Sequence, residues 1–289
     1  MTQLTASVLT PSYNQAKWLP DNLRSVAVQT YPNVEHIVMD GGSTDGSVQI
    51  LTTAAPAVIW ESGRDMGQSD AINKAFYRST GDIIGWLNSD DAYFSRDTVA
   101  QAMEVFQAHP EVGVVYGHAV LVNGSGTLLH VLWTPPFRKT LVRSWYNPIC
   151  QPTVFVRRTA LEREFFVDRD FDYMMDRELW LYLSGRTRFH RLNKILALDR
   201  HHAERKSYTR LDVAAHDYEL IAQRYGAPGP DSSRFLLILV KLGIRFAGLS
   251  KVIEAAKNGD AVPIIAPPPL GIAMRQIGQF RRQMPAGEQ

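Results

Sequence analysis

Two kinds of apolar pattern alternate along the first half of the chain. The short runs SVLTPSY, VEHIVM, AVIW, DIIGWL and VGVVYG are nearly continuous in apolar residues. Strands of that kind are buried on both faces of a sheet. Between them, residues 16–29, 46–54, 68–79 and 97–108 carry helical spacing. This rhythm predicts an α/β fold with a mostly parallel central sheet flanked by helices. Further on, NGSG within 119–133 marks a hairpin or loop, and QPTVFVRR (151–158) reads as another strand. FDYMMDRELWLYLSG (171–185) predicts an amphipathic helix with Trp180, Leu181 and Leu183 toward the core. A strand-like segment, the stretch RHHAERKS and a helix over 211–225 follow.

Beyond that point the pattern changes. FLLILVKLGIRFAGL (235–249) is apolar but interrupted by Lys241 and Arg245, one helical turn apart and near Arg234 on the same face. It falls short of the ~18 apolar residues of a membrane span. Two readings stay open for 234–251: an interfacial helix on an anionic inner leaflet, or a helix packed on the main domain. The tail containing VPIIAPPPLG is proline-rich and extended in character.

Composition narrows the class. The 289 residues are 45% hydrophobic and 21% charged, ordinary for a globular protein with a sizeable core. A net charge of +2 gives no reason to expect a nucleic-acid partner. The single cysteine, Cys150, cannot form an internal disulfide, and MTQLTASVLTPSYN has no basic region followed by an apolar core. Both point to a cytoplasmic protein, with peripheral contact to the inner face of the cell membrane if 234–251 is interfacial.

The candidate chemistry lies at the strand ends. Thr10-Pro11, Asp40-Gly41-Gly42-Ser43, Glu61 to Asp65, and Asn88 to Asp91 each close an apolar run. In open parallel α/β sheets ligands bind beyond the carboxyl ends of the strands, so these clusters converge. Asp40 can accept from a base N–H or a ribose hydroxyl, with Gly41 and Gly42 letting the backbone approach closely. The alternative for DGGSTDGS is a turn and helix cap. Asp90 and Asp91 repel unless a cation joins them, and Mg²⁺ or Mn²⁺ shared with a substrate diphosphate would do so. A helix cap is again the alternative. A second acidic cluster, Asp168, Asp170, Asp172, Asp176 and Glu178, offers a general base without singling one out. No G-x-G-x-x-G turn follows the first strand, and G-x-x-x-x-G-K-[ST] and G-x-S-x-G are absent. Cys150 has no evident base beside it.

Taken as an ordered set, VLTPSYNQAKWLPDNLRSVAVQTYPNVEHIVMDGGSTDGS, ESGRDMGQSDAINKAF and GDIIGWLNSDD resemble the family-2 glycosyltransferases with the GT-A fold. The match is strong over about 5–120, continues through QPTVF and MDRELWLYLSG to HHAERKS, and stops near 225. The resemblance implies a domain over 1–225, with a nucleotide-binding part over about 1–120 and an acceptor-binding part over about 121–225. Residues 226–289 are then a C-terminal helical and proline-rich extension. It implies an inverting transferase that moves a sugar from a UDP-, TDP- or GDP-sugar to a hydroxyl of a saccharide or glycolipid acceptor. Thr10, Pro11 and Tyr13 would line the nucleotide pocket, Asp40 would contact the base with Gly42 beside it, and Asp65, Gly67 and Asp70 would flank base and ribose. Asn88-Ser89-Asp90 stands at the D-x-D position, with Asp90 the chief metal carboxylate, Asp91 beside it, and Mn²⁺ or Mg²⁺ the cofactor. Asp176 falls at the place of the base. His202 would approach the metal or diphosphate, with His201 as the substitute.

Two departures weaken the pattern. Asn88 replaces the first acid of D-x-D and adds no charge. Ile72 precedes Asn73 where many relatives carry arginine, which leaves Lys74, Arg205 or Lys206 to meet the diphosphate. Trp133, Trp145 and Tyr146 can stack on an acceptor sugar or pack in the core. A role in surface polysaccharide or glycolipid assembly follows from family analogy. The rival readings are a nucleotidyltransferase, which would need a glycine-rich basic loop after Thr10, and a non-catalytic sugar-nucleotide-binding protein of the same fold.

Overall fold

The computed structural model describes residues 3–143, 147–206 and 211–226. The segment 234–251, the proline-rich tail and the rings of Trp145 and Tyr146 lie outside the described residues. Strands β1 (Ala6–Ser12), β2 (Val34–Asp40), β3 (Ile59–Ser62) and β4 (Ile83–Trp86) pair in parallel in the order β3-β2-β1-β4. Helices α1 (Leu19–Ala27), α2 (Ser47–Ala54) and α3 (Gln68–Arg78) connect them. This is the expected α/β half of the molecule.

The sheet continues through β8 (Phe155–Arg157), β6 (Val112–Asn123), β9 (Arg188–His201) and β5 (Ala92–Tyr93), with β7 (Leu128–Leu132) paired to β6. Here the pairing is mixed: β8 runs antiparallel to both β4 and β6, while β6 and β9 are parallel. The turn after Asn123 returns the chain directly as an antiparallel β6–β7 hairpin, as NGSG predicts. Helix α4 (Thr98–Ala108) precedes β6, a short α5 (Lys139–Arg143) follows β7, α6 (Met175–Leu183) precedes β9, and α7 (Leu211–Tyr225) closes the described chain.

Successive strand residues point to opposite faces, and both faces are covered. Leu9, Ile37, Met39 and Ile84 pack with Ala71 and Ile72 of α3 and with Leu179 and Trp180 of α6. Val8 and Ile83 pack with Met103 and Phe106 of α4 on the other side. Val38 meets Leu19, Leu23 and Leu51 from α1 and α2. Trp180, Leu181 and Leu183 are buried, as the amphipathic pattern requires. Register then fixes the polar ends: Ser12 lies opposite Asp40, and Asp40 opposite Ser62. Leu9 lies opposite Trp86, so the turn after β4 opens on the same edge.

Candidate active site

That edge forms one wall of a cleft of about 1090 Å³. Pro11, Tyr13, Asp65, Gly67, Asn88, Ser89 and Asp90 reach it from the parallel half, and Asn147, Asp176, His202 and Arg205 from the other.

The turn after β4 separates its two aspartates. Asn22 of α1 donates from Nδ2 to the carbonyls of Asn88 (2.9 Å) and Asp91 (3.2 Å), pinning the turn. Asn88 Oδ1 accepts from Gln68 Nε2 and Trp86 Nε1, while its Nδ2 donates to Gln151. Its amide braces the turn at the D-x-D position. Asp90 turns to the cleft, with Oδ2 2.9 Å from His202 Nε2. Asp91 turns inward instead: it is buried, and its Oδ1 accepts the Arg200 backbone N–H at 3.0 Å. Burial, with Asp90 and Asp199 nearby, pushes its carboxyl well above the usual range. The neighbours thus differ in surroundings: Asp90 meets His202, while Asp91, buried against the Arg200 amide, still feels the Asp90 charge.

Other expected nucleotide contacts divide in the same way. Thr10 is fully buried, its hydroxyl 2.9 Å from His36 Nε2, and burial lowers His36 to about 3. Asp40 is also buried and organises the loop: Oδ2 accepts from Gly42 N, Ser43 N and Ser62 Oγ, and Oδ1 from Ser43 Oγ. Gly42, at φ +86°, makes that turn. Gly41 lets two walls close, since a Cβ there would sit 2.8 Å from Asp65 Oδ2 and 3.3 Å from the Tyr13 ring. Asp65 lies in the cleft and accepts from Gly67 N, and Gly67, at φ +105°, starts α3. Asp70 is buried and paired with Lys74 (2.9 Å) and Arg169 (2.9 Å). Tyr13 is 61% exposed at the cleft rim.

On the opposite wall the acidic cluster sorts itself by partner. Asp168 and Asp170 pair with Arg224, Asp172 with Lys206, and Glu178 with Arg163 and Tyr225. Asp176, in the first turn of α6, takes amide donors instead: Asn147 Nδ2 to Oδ2 at 2.9 Å and its neighbour Arg177 N to Oδ1 at 2.7 Å. Burial raises its carboxyl to about 6. Upstream of the helix, Asp217 Oδ2 of α7 accepts the backbone N–H groups of Asp172, Tyr173 and Met174. Neither Asn147 nor Asp217 has a signature in the linear sequence, because each acts across a long chain separation.

His201 and His202 part at the end of β9. His202 meets Asp90, whereas His201 approaches Asp199 at 3.5 Å. Asp199 is buried; although burial alone would raise its carboxyl, the Arg205 guanidinium at 2.6 Å holds it below the usual range. Cys150 lies against Asp199, and burial with the nearby Asp199 and Asp91 charges raises its thiol well above normal, so it stays protonated. Among the described residues no group of three or more His, Cys, Asp or Glu side chains is arranged to hold a metal. Asp90 and His202 alone supply a hard oxygen and an imidazole nitrogen. That pair fits a cation that draws its other ligands from substrate phosphates and water, and does not fit an all-protein cage.

The comparisons agree with this architecture. The model for glycosyl transferase family 2 matches residues 7–166. A glycosyltransferase of PGL/p-HBAD biosynthesis from Mycobacterium bovis is 33% identical over 156 residues, 53% of this chain and 59% of that protein. An uncharacterized glycosyltransferase from Mycobacterium tuberculosis is 37% identical over 115 residues, 39% of this chain and 44% of that one. The chain spans about half the length of the curated relatives it matches. Among solved structures, Staphylococcus aureus TarS 1-349 in complex with UDP-GlcNAc aligns with TM-score 0.59 at 19% identity, over 75% of this chain and 64% of that one. The mannosyltransferase PcManGT from Pyrobaculum calidifontis, in complex with GDP-Man and Mn²⁺, aligns with TM-score 0.57 at 18% identity, over 98% and 82%. These likenesses show the GT-A fold. With the family match covering more than half its length, the chain belongs to glycosyl transferase family 2.

Proposed function

We propose that the protein transfers a sugar from a nucleotide-diphosphate donor to an acceptor hydroxyl with inversion, in a single displacement. The observation that carries this reading is one cleft lined both by Asp176 of α6 and by Asp90, which meets His202 across it. Asp176, ionised above about pH 6, accepts the proton of the acceptor hydroxyl as that oxygen attacks the anomeric carbon. The oxygen approaches from the face opposite the diphosphate, and no covalent sugar–enzyme intermediate is required. Asp90 and His202 would hold Mn²⁺ or Mg²⁺, which supplies charge neutralisation for the departing diphosphate. Arg205 and Lys206, paired with Asp199 and Asp172, line the cleft and bring positive charge to it, whereas Lys74, paired with Asp70, does not line it.

UDP-GlcNAc in TarS and GDP-Man in PcManGT support a nucleotide-diphosphate sugar as donor class and leave the base open. Within this reading, 1–120 binds the nucleotide and 121–225 the acceptor, a saccharide or glycolipid of surface polymer assembly. No helix among the described residues is long and apolar enough to cross a membrane, and cytoplasmic action with peripheral membrane contact through 234–251 belongs to the same proposal. The test is donor turnover with the anomeric configuration of the product followed by NMR. Asp176→Asn should lose about two to four orders of magnitude in turnover while donor binding survives. Retained configuration, or near-wild-type turnover in Asp176→Asn, contradicts the mechanism.

A further inference from the structure

His202 presents a specific difficulty. A metal-binding histidine ordinarily has its second ring nitrogen hydrogen-bonded, which fixes the ring's orientation. His202 Nε2 faces Asp90, but its Nδ1 is buried and has no hydrogen-bond partner among the described residues. The contact to Asp90 therefore holds one edge of the ring and leaves the other without a hydrogen bond to orient it.

The neighbouring group is Trp18, immediately before α1. Its indole lies against the imidazole with ring centroids 3.9 Å apart and planes inclined at 35°. The indole is itself fixed: Nε1 donates to the Gly124 carbonyl in the β6–β7 turn at 2.9 Å, and Lys17 Nζ stands 4.9 Å from the ring centroid. Gly124 closes the third side, because a Cβ there would lie 3.4 Å from His202 Cβ and 3.8 Å from Trp18 Cζ2. Trp18 is 5% exposed, so this is a packed clamp.

We infer that Trp18 is a positioning residue for His202. Tethered at Gly124, its indole holds the imidazole with Nε2 turned to Asp90, so the two donors are set before any cation arrives. Stacking takes the place of the absent hydrogen bond at Nδ1. The inference rests on the proposed role of Asp90 and His202, and its test separates the two.

The experiment is calorimetric titration of the full chain with Mn²⁺ in the presence of UDP, on wild type, His202→Ala, Trp18→Phe and Trp18→Leu, with Tm measured for each. His202→Ala should weaken Mn²⁺ binding at least tenfold. Trp18→Leu should weaken it by about tenfold, the scale of losing an orienting partner of a metal ligand, and Trp18→Phe should restore most of it by keeping a ring. Unchanged Mn²⁺ affinity in Trp18→Leu, with loss in His202→Ala, overturns the role of Trp18 alone. Unchanged affinity in His202→Ala overturns the ligand pair and the inference with it. A second measurement needs no variant. In wild type loaded with Mg²⁺ and UDP, nuclear Overhauser contacts between the His202 ring and the Trp18 indole should persist, and their disappearance on loading contradicts the clamp.

Discussion

At the scale of single residues, environment rather than residue type separates the carboxylates. Burial brings Asp176 to about 6, inside the range where a base can work near neutral pH. As the proposed base it would act in its ionised form, so kcat/KM should rise tenfold per pH unit below about pH 6 and level off above it. Asn147 donates to that ionised form, and its removal favours the proton. Asn147→Ala should therefore move the acid limb upward by roughly one pH unit, read from the pH profile of donor turnover. An unmoved limb would detach Asn147 from the base. The ordered motifs single out Asp90, Asp176 and His202 in the sequence, and all three line the cleft. The sequence did not show that Thr10 and Asp40 would be satisfied internally, by His36 and by the loop after β2. Nor did it show Asp91 turning inward, since a side chain's direction at a strand end depends on what packs there from elsewhere, here the Arg200 amide.

At the scale of elements, most strand and helix positions followed from apolar periodicity, because burial on both faces leaves a strong signal; the exceptions are β3, which is largely exposed, and Gln151–Thr153, a 3-10 turn where the strand 151–158 was expected. That the first strands run parallel was legible too, but their order was not. The mixed pairing of β8, β6 and β9 was not, because it is set by which strand edges meet in space. Helix α6 carries Asp176 and is held in two ways: its apolar face packs in the core through Trp180, and the residues leading into it are tied to α7. Trp180→Ala should cost about 3–5 kcal/mol of stability, seen as a lower urea midpoint, as for other buried aromatic truncations. Asp217→Ala removes an acceptor shared by three consecutive backbone N–H groups and should cost roughly 2–3 kcal/mol. A negligible shift in midpoint would show that the α7 contact does not support this segment.

At the scale of the molecule, the sheet divides the work. The parallel half ends in loops that Gly41 lets close on Asp65 and Tyr13, and β9 and α6 bring His202 and Asp176 to face them across the cleft. In the proposed function this cleft takes a nucleoside diphosphate through a cation seated on Asp90. The most direct measurement is calorimetric binding of UDP, GDP and TDP to wild type and Asp90→Ala, with Mn²⁺ or Mg²⁺ and again with chelator. One of the nucleotides should bind in a metal-dependent manner, and Asp90→Ala should weaken it at least tenfold. No binding of any diphosphate, or binding indifferent to both chelator and the substitution, would contradict the proposed function.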